Sequence, residues 1–154
     1  MSIVYFDLET TGFQQSAEIL QIGAIPAGGQ QEGFQDFIMP RGPINPNASR
    51  INGIYKDQNG RLRDRYGRNI RTNSLTNVLG NFFGWLDSVQ CRYLVAHNVN
   101  FDWRHLNNSL NSIEHPSGPM HQAIRNIIKI DSQQFVQRRK VSFRKLFPFL
   151  KNIF

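Results

Sequence analysis

Asp7 and Glu9 follow directly on an apolar run, Ile3-Val4-Tyr5-Phe6, with a single leucine between them. Side chains alternate along a strand, so the two carboxylates fall on one face at the strand's carboxyl end. Acids placed together repel unless they are solvated, protonated or share a cation, and hard divalent ions take oxygen ligands. The pair reads as a candidate metal site; decoration of an exposed surface is the other reading. A third acid, Asp102, falls in the first turn of a helix that starts at Asn98 or Asn100. An acid there often does no more than complement the helix dipole.

The elements that must position these acids can be read from pattern. Ile3 to Phe6 is β-rich and without helical period, as expected of a central strand buried on both faces. Glu18 to Ile25 and Gly33 to Met39, separated by Gly28-Gly29, complete an antiparallel meander that Pro40 ends. Arg41 to Thr72 is polar and rich in Gly, Pro, Asn and Arg, and reads as loop with a small hairpin around Arg61-Leu62-Arg63. Ser74 can cap a helix in which Leu75, Val78, Leu79, Phe82, Phe83, Leu86 and Val89 keep the 3.6-residue period. Tyr93 to Ala96 is a fourth strand. A helix with Trp103, Leu106 and Leu110 on one face follows, then a fifth strand at Ile127 to Ile130. Ser142 can cap a short final helix that Pro148 stops. The order implies an α/β domain on a mixed sheet, one domain over 1–154, with no internal repeat.

Phe6-Asp7-Leu8-Glu9-Thr10-Thr11-Gly12, followed by Leu94-Val95-Ala96-His97-Asn98-Val99-Asn100-Phe101-Asp102, resembles the first two motifs of the DnaQ-like (DEDD) 3′→5′ exonucleases, of the DEDDh type. The resemblance extends over Ile44 to Gly53, Ile130 to Ser132 and Val141 to Leu150. Asp57 to Leu79 is similar to the exonuclease-like C-terminal region of animal PML proteins. The resemblance implies a ribonuclease-H-like mixed five-stranded sheet flanked by helices. Asp7, Glu9 and Asp102 would bind two Mg²⁺ or Mn²⁺ ions, and a pair about 4 Å apart can clamp the attacking and leaving oxygens of a phosphoryl displacement. It also implies that the backbone around Thr10 and Thr11 and the side chain of Phe13 meet the terminal nucleotide, Phe13 as a wedge against the last base; Asn98 and Phe101 are further candidate contacts, Phe101 placed where either packing or base stacking would do. By composition Phe13 fits a core equally well. His97 and Asn98 would orient the loop behind the site, and Trp103 would pack.

The family's third motif, a histidine base with an acid five residues on, is expected after the region resembling Val141 to Leu150, where this sequence stops at Phe154. The expected C-terminal helix is therefore missing, and catalysis by the chain alone is in question. His121 to Asn126 imitates the histidine spacing but ends in Asn and precedes the fifth strand; a surface histidine on a short helix is the simpler reading.

A formal charge of +7 favours polyanionic partners. Two basic stretches can guide a single strand: Lys56, Arg61, Arg63, Arg65, Arg68 and Arg71, then Arg138, Arg139, Lys140, Arg144 and Lys145. Cys91, the only cysteine, reads as a small apolar filler and fits a reducing, intracellular compartment. No run is long enough to span a bilayer or act as a signal, so a soluble protein without a membrane partner is expected. The composite expectation is a metal-dependent exonuclease releasing nucleoside monophosphates from single-stranded DNA or RNA 3′ ends. The alternative is a degenerate exonuclease fold that binds nucleic acid or protein without cutting.

Overall fold

The computed structural model describes residues 2–29, 31–113, 120 and 126–133. His121, the second basic stretch and the Ser142 helix lie outside the described residues. Seven strands and three helices are present there: β1 Ser2–Thr10, β2 Ile19–Pro26, β3 Phe34–Phe37, α1 Pro46–Asn52, β4 Tyr55–Lys56, β5 Leu62–Arg63, α2 Leu75–Ser88, β6 Cys91–Ala96, α3 Val99–Asn111 and β7 Ile128–Asp131. Five strands form one sheet in the order β3-β2-β1-β6-β7. β1, β2 and β3 are antiparallel neighbours, whereas β6 runs parallel to both β1 and β7. This is the mixed sheet the pattern implied, in the ribonuclease-H-like arrangement the resemblance implied. Parallel neighbours require crossovers, and α2 and α3 supply them.

The ladder sorts side chains by face. Val4, Phe6 and Leu8 share a face with Ile22, Ala24 and Leu94, and α2 and α3 pack there through Phe82, Phe83, Leu86, Leu106 and Leu110. The Ser74 hydroxyl caps α2 by accepting from the Asn77 amide at 3.2 Å. Trp103 is partly buried against this core, as expected. So is Cys91, whose thiol burial pushes up to about 11, leaving it protonated and inert.

The expectation that β1 is buried on both faces is corrected. Burial alternates along it: Tyr5, Asp7 and Glu9 are only partly covered on the face opposite the core. Β-rich character alone does not separate a two-sided strand from one whose second face carries a site. The 41–72 region likewise holds more than loop and hairpin. Asn45 caps α1 by accepting from the Asn47 amide at 2.8 Å, Pro46 sits at its first turn, and Gly53 ends it at φ +77°. Asn-Pro at the start and Gly at the end are readable signals.

The expected hairpin is β4–β5, and it brings Leu62 and Ile54 against Leu20 in a small second core. Contrary to the expectation of no internal repeat, the 41–72 region also contains a short one. Asp57 and Asp64 each open an Asp-x-x-Gly-Arg turn: in each, Oδ1 accepts amides two and four residues on, and a glycine at φ +75° or +77° closes the turn. Among the described residues, no helix is long and apolar enough to cross a membrane.

Candidate active site

The site lies at the carboxyl ends of the parallel strands, where the strand order turns outward from β1 in both directions, the place where open α/β sheets bind ligands. β1 pairs with β6 only as far as Tyr5 opposite Val95. β6 ends one residue later at Ala96, and α3, starting at Val99, brings Asp102 back to β1. The Leu8 amide donates to Asp102 Oδ1 at 3.2 Å, which sets the third acid against the backbone between the first two. Asp102 is 2 % exposed.

The three acids are electrostatically one group. Burial raises the Asp7 pKa to about 6, while the Leu8 amide pulls it back. Glu9 is pushed to about 7 by burial and by the Asp7 charge, while the Asn52 side chain and the Arg65 charge pull it back. Asp102 is pushed to about 8, again by burial first and Asp7 second. None of the three is in an ion pair among the described residues. The donor set is all oxygen and short of positive charge, which fits a hard divalent ion. Among the described residues no three Asp, Glu, His or Cys side chains close on a common point at ligating distance. The Leu8 contact still sets the three acids together at one end of β1, where the Asp7 charge raises both neighbours.

The remaining expected residues divide. Phe13 is 56 % exposed and not in the core. Thr10 and Thr11 are buried and occupied: the Thr10 hydroxyl donates to Gly12 O, and Thr11 Oγ1 accepts from the Glu18 amide. Their side chains hold the turn after β1. Phe101 is half-buried, its ring 4.5 Å from that of His105, with the Arg104 guanidinium 5.7 Å from its centroid. Asn98 is the left-handed N-cap of α3 at φ +64° with no side-chain cap bond, and His97 beside it is exposed.

Four residues frame the site beyond what the sequence signals, one of them, Arg65, expected only as part of a basic stretch. Asp131, at the end of β7, accepts from the Asn98 amide at 3.1 Å and the Gln133 amide at 2.9 Å, fixing the turn that launches α3. His105 is 1 % exposed, and its Nδ1 lies 3.1 Å from Ala17 O, tying α3 to the segment before β2. Burial lowers its pKa, so it is neutral, with Nδ1–H as donor. Asn52 donates to Thr10 O at 3.3 Å, joining α1 to the end of β1. Arg65 is the fourth, near Glu9. The first basic stretch is not a uniform surface either: Lys56 Nζ donates to Pro40 O and Gly42 O, and Arg63 and Arg68 are paired with Asp57 and Asp64.

The Exonuclease family profile (RNase_T) matches residues 4–151. Over 109 residues the chain is 36 % identical to the PolC-type DNA polymerase III of Thermotoga maritima, and over 108 residues 33 % identical to that of Thermotoga petrophila. Each match takes in 68 % of this chain but 7 % of the polymerase, so the chain spans a small part of these relatives. Among solved structures, exonuclease X in complex with 5′-overhanging duplex DNA superposes with a TM-score of 0.58 at 21 % identity, over 97 % of this chain and 73 % of that one. That likeness shows a shared fold.

Proposed function

From the chain's membership of the Exonuclease family, we propose that it is a metal-dependent 3′→5′ exonuclease acting on single-stranded ends and releasing nucleoside monophosphates. The observation that carries this reading is the placement of Asp7, Glu9 and Asp102 in one partly buried patch at the end of β1, linked through the Leu8 amide. These three side chains would hold the divalent ions, Mg²⁺ or Mn²⁺. When bound, such ions supply charge neutralisation at the scissile phosphate and lower the pKa of the attacking water.

The chain's own residues do the positioning. The Leu8 amide orients Asp102, and Asp131 holds the Asn98 turn from which α3 presents it. Asn52 ties α1 to Thr10, next to Glu9. Phe13, exposed just past the acids, offers a π-face to the terminal base, a contact that any sequence satisfies. Both DNA and RNA ends present the same phosphodiester to this acid patch.

The test is a 5′-labelled oligonucleotide incubated with Mg²⁺ or Mn²⁺. A ladder shortening from the 3′ end, lost with EDTA and in Asp7→Asn, is the expected result. Tight strand binding with no metal-dependent cleavage would instead establish a binding module on an exonuclease fold.

A further inference from the structure

Glu9 lies opposite Gln21 in the β1–β2 register, and Gln21 lies opposite Phe37 in the β2–β3 register, so the three form one row across the sheet on the face away from the main core. Gln21 and Phe37 are also lining residues of an open cleft of about 1010 Å³. Its wall is the end of α1 at Asn52 and Gly53, together with the second Asp-x-x-Gly-Arg turn and the segment up to Asn73. The cleft thus begins one strand away from Glu9 and runs outward over β3.

The arginines at its wall are not equivalent. Arg63 Nε is 2.9 Å from Asp57 Oδ2 and Arg68 Nε 2.6 Å from Asp64 Oδ2, each closing its own turn. Arg65 makes no hydrogen bond or ion pair among the described residues, yet its charge is felt at Glu9. Its side chain lies over Gly53, where a Cβ would come 2.7 Å from Arg65 Nε. Glycine at 53 therefore serves two purposes, the left-handed end of α1 and room for this guanidinium. Next to it, Tyr66 is 76 % exposed, with the Arg68 guanidinium 5.1 Å from its ring centroid. A free cation beside an exposed aromatic ring, on a cleft leading to the acid patch, matches the repeating chemistry of an unpaired nucleic-acid strand: a phosphate and then a base face.

We propose that this cleft binds the unpaired stretch of the substrate strand that adjoins the cleaved nucleotide, with Arg65 on a phosphate and Tyr66 stacked on a base. The assignment rests on the nuclease reading above and extends it to a second contact region. Arg63 and Arg68 shape the turns and do not take substrate.

The test uses the full chain with Mg²⁺ and a 5′-fluorescent oligothymidylate carrying phosphorothioates at its 3′ end to slow cleavage. Anisotropy is measured across a salt titration. Arg65→Ala should weaken binding and reduce the slope of log K against log salt by about 0.7, the share of one phosphate on a single strand. Tyr66→Ala should weaken binding about 5- to 150-fold, the cost of one lost base–aromatic stack. Tyr66→Phe should retain affinity, and an abasic site opposite the ring should erase the difference between wild type and Tyr66→Ala. Both side chains are exposed, so melting temperatures should stay at the wild-type value. Wild-type cleavage with an unchanged Kd and salt slope in Arg65→Ala overturns the cleft assignment alone. A wild-type chain that neither binds nor cleaves the unmodified oligonucleotide overturns the nuclease reading and this assignment together. A labelled acidic peptide that binds the wild type, is not displaced by oligonucleotide and is lost in Arg65→Ala, with oligonucleotide binding unchanged in that variant, would assign the cleft to a protein and overturn it as a strand site.

Discussion

Asp102 Oδ1 sits 3.2 Å from the Leu8 amide nitrogen. Leu8 separates Asp7 from Glu9 in sequence, so one backbone hydrogen bond ties the acid of α3 to the strand that carries the other two. The contact exists because β1–β6 pairing stops at Tyr5, which leaves that stretch of β1 open to the helix. A stabilising bond thereby holds a destabilising charge in place.

Asp102→Asn should raise stability in EDTA at pH 8. The folded-state pKa of Asp102, about 8, lies above its ordinary value of 3.8, so the folded state binds the proton more tightly than the unfolded one. Stability from this group is full below the ordinary carboxylate range and falls as pH rises toward 8. Asparagine keeps an acceptor for the Leu8 amide and removes the charge. Each pH unit of displacement is worth about 1.4 kcal/mol, and 1 kcal/mol moves Tm by about 2–4 °C at this chain length. The Tm gain should be several degrees at pH 8 and smaller at pH 5. A melting curve below wild type at pH 8 would contradict the electrostatic account.

Mg²⁺ should raise the wild-type Tm, and more at pH 8 than at pH 6. Asp7, Glu9 and Asp102 titrate at about 6, 7 and 8, and ion binding requires them deprotonated, so binding must release protons across this interval. Asp7→Asn should remove most of the rise. Calorimetry in two buffers of different ionisation enthalpy measures the protons released; none released at pH 6.5 would rule these acids out as ligands.

Much of this site was legible in sequence because its signals are local. Asp7 and Glu9 alternate with apolar residues, and Ser74 caps α2 where the period begins. The Asn45-Pro46 start and Gly53 end of α1 were equally local and went unread beneath the polar composition around them. What could not be read depends on tertiary partners. Asn98 takes a left-handed conformation that is paired with Asp131, over thirty residues on in a different strand. Arg63, Arg65 and Arg68 look alike in a row, and only the folded Asp57 and Asp64 turns show which one is free.

Asp131→Ala should loosen the turn that presents Asp102 without touching the acids themselves. It removes an acceptor for two amides, Asn98 and Gln133, and charged hydrogen bonds of this kind are worth about 1.5–3 kcal/mol each. Positioning partners of metal ligands typically cost about 10- to 100-fold in affinity when lost. Mg²⁺ affinity from the Tm titration should fall by that order, and Asp131→Asn should restore part of it. Unchanged Mg²⁺ affinity in Asp131→Ala would show that α3 holds its register without this contact.

Phe13→Ala separates two readings that composition left level. A buried phenylalanine truncated to alanine costs about 3–5 kcal/mol, whereas an exposed one away from the core changes stability by about 0.5 kcal/mol or less. Phe13 is 56 % exposed, next to the buried Thr10 and Thr11 that brace the turn after β1, so the second figure applies. Its ring is then available to a base, and losing a base–aromatic stack weakens strand binding by about 1–3 kcal/mol. The expected variant melts with the wild type but binds an oligonucleotide more weakly and cleaves it with a raised KM. Because stacking ignores base identity, the loss should be similar for thymidylate and adenylate ends. A large drop in Tm would return Phe13 to the core and leave the terminal base without its wedge.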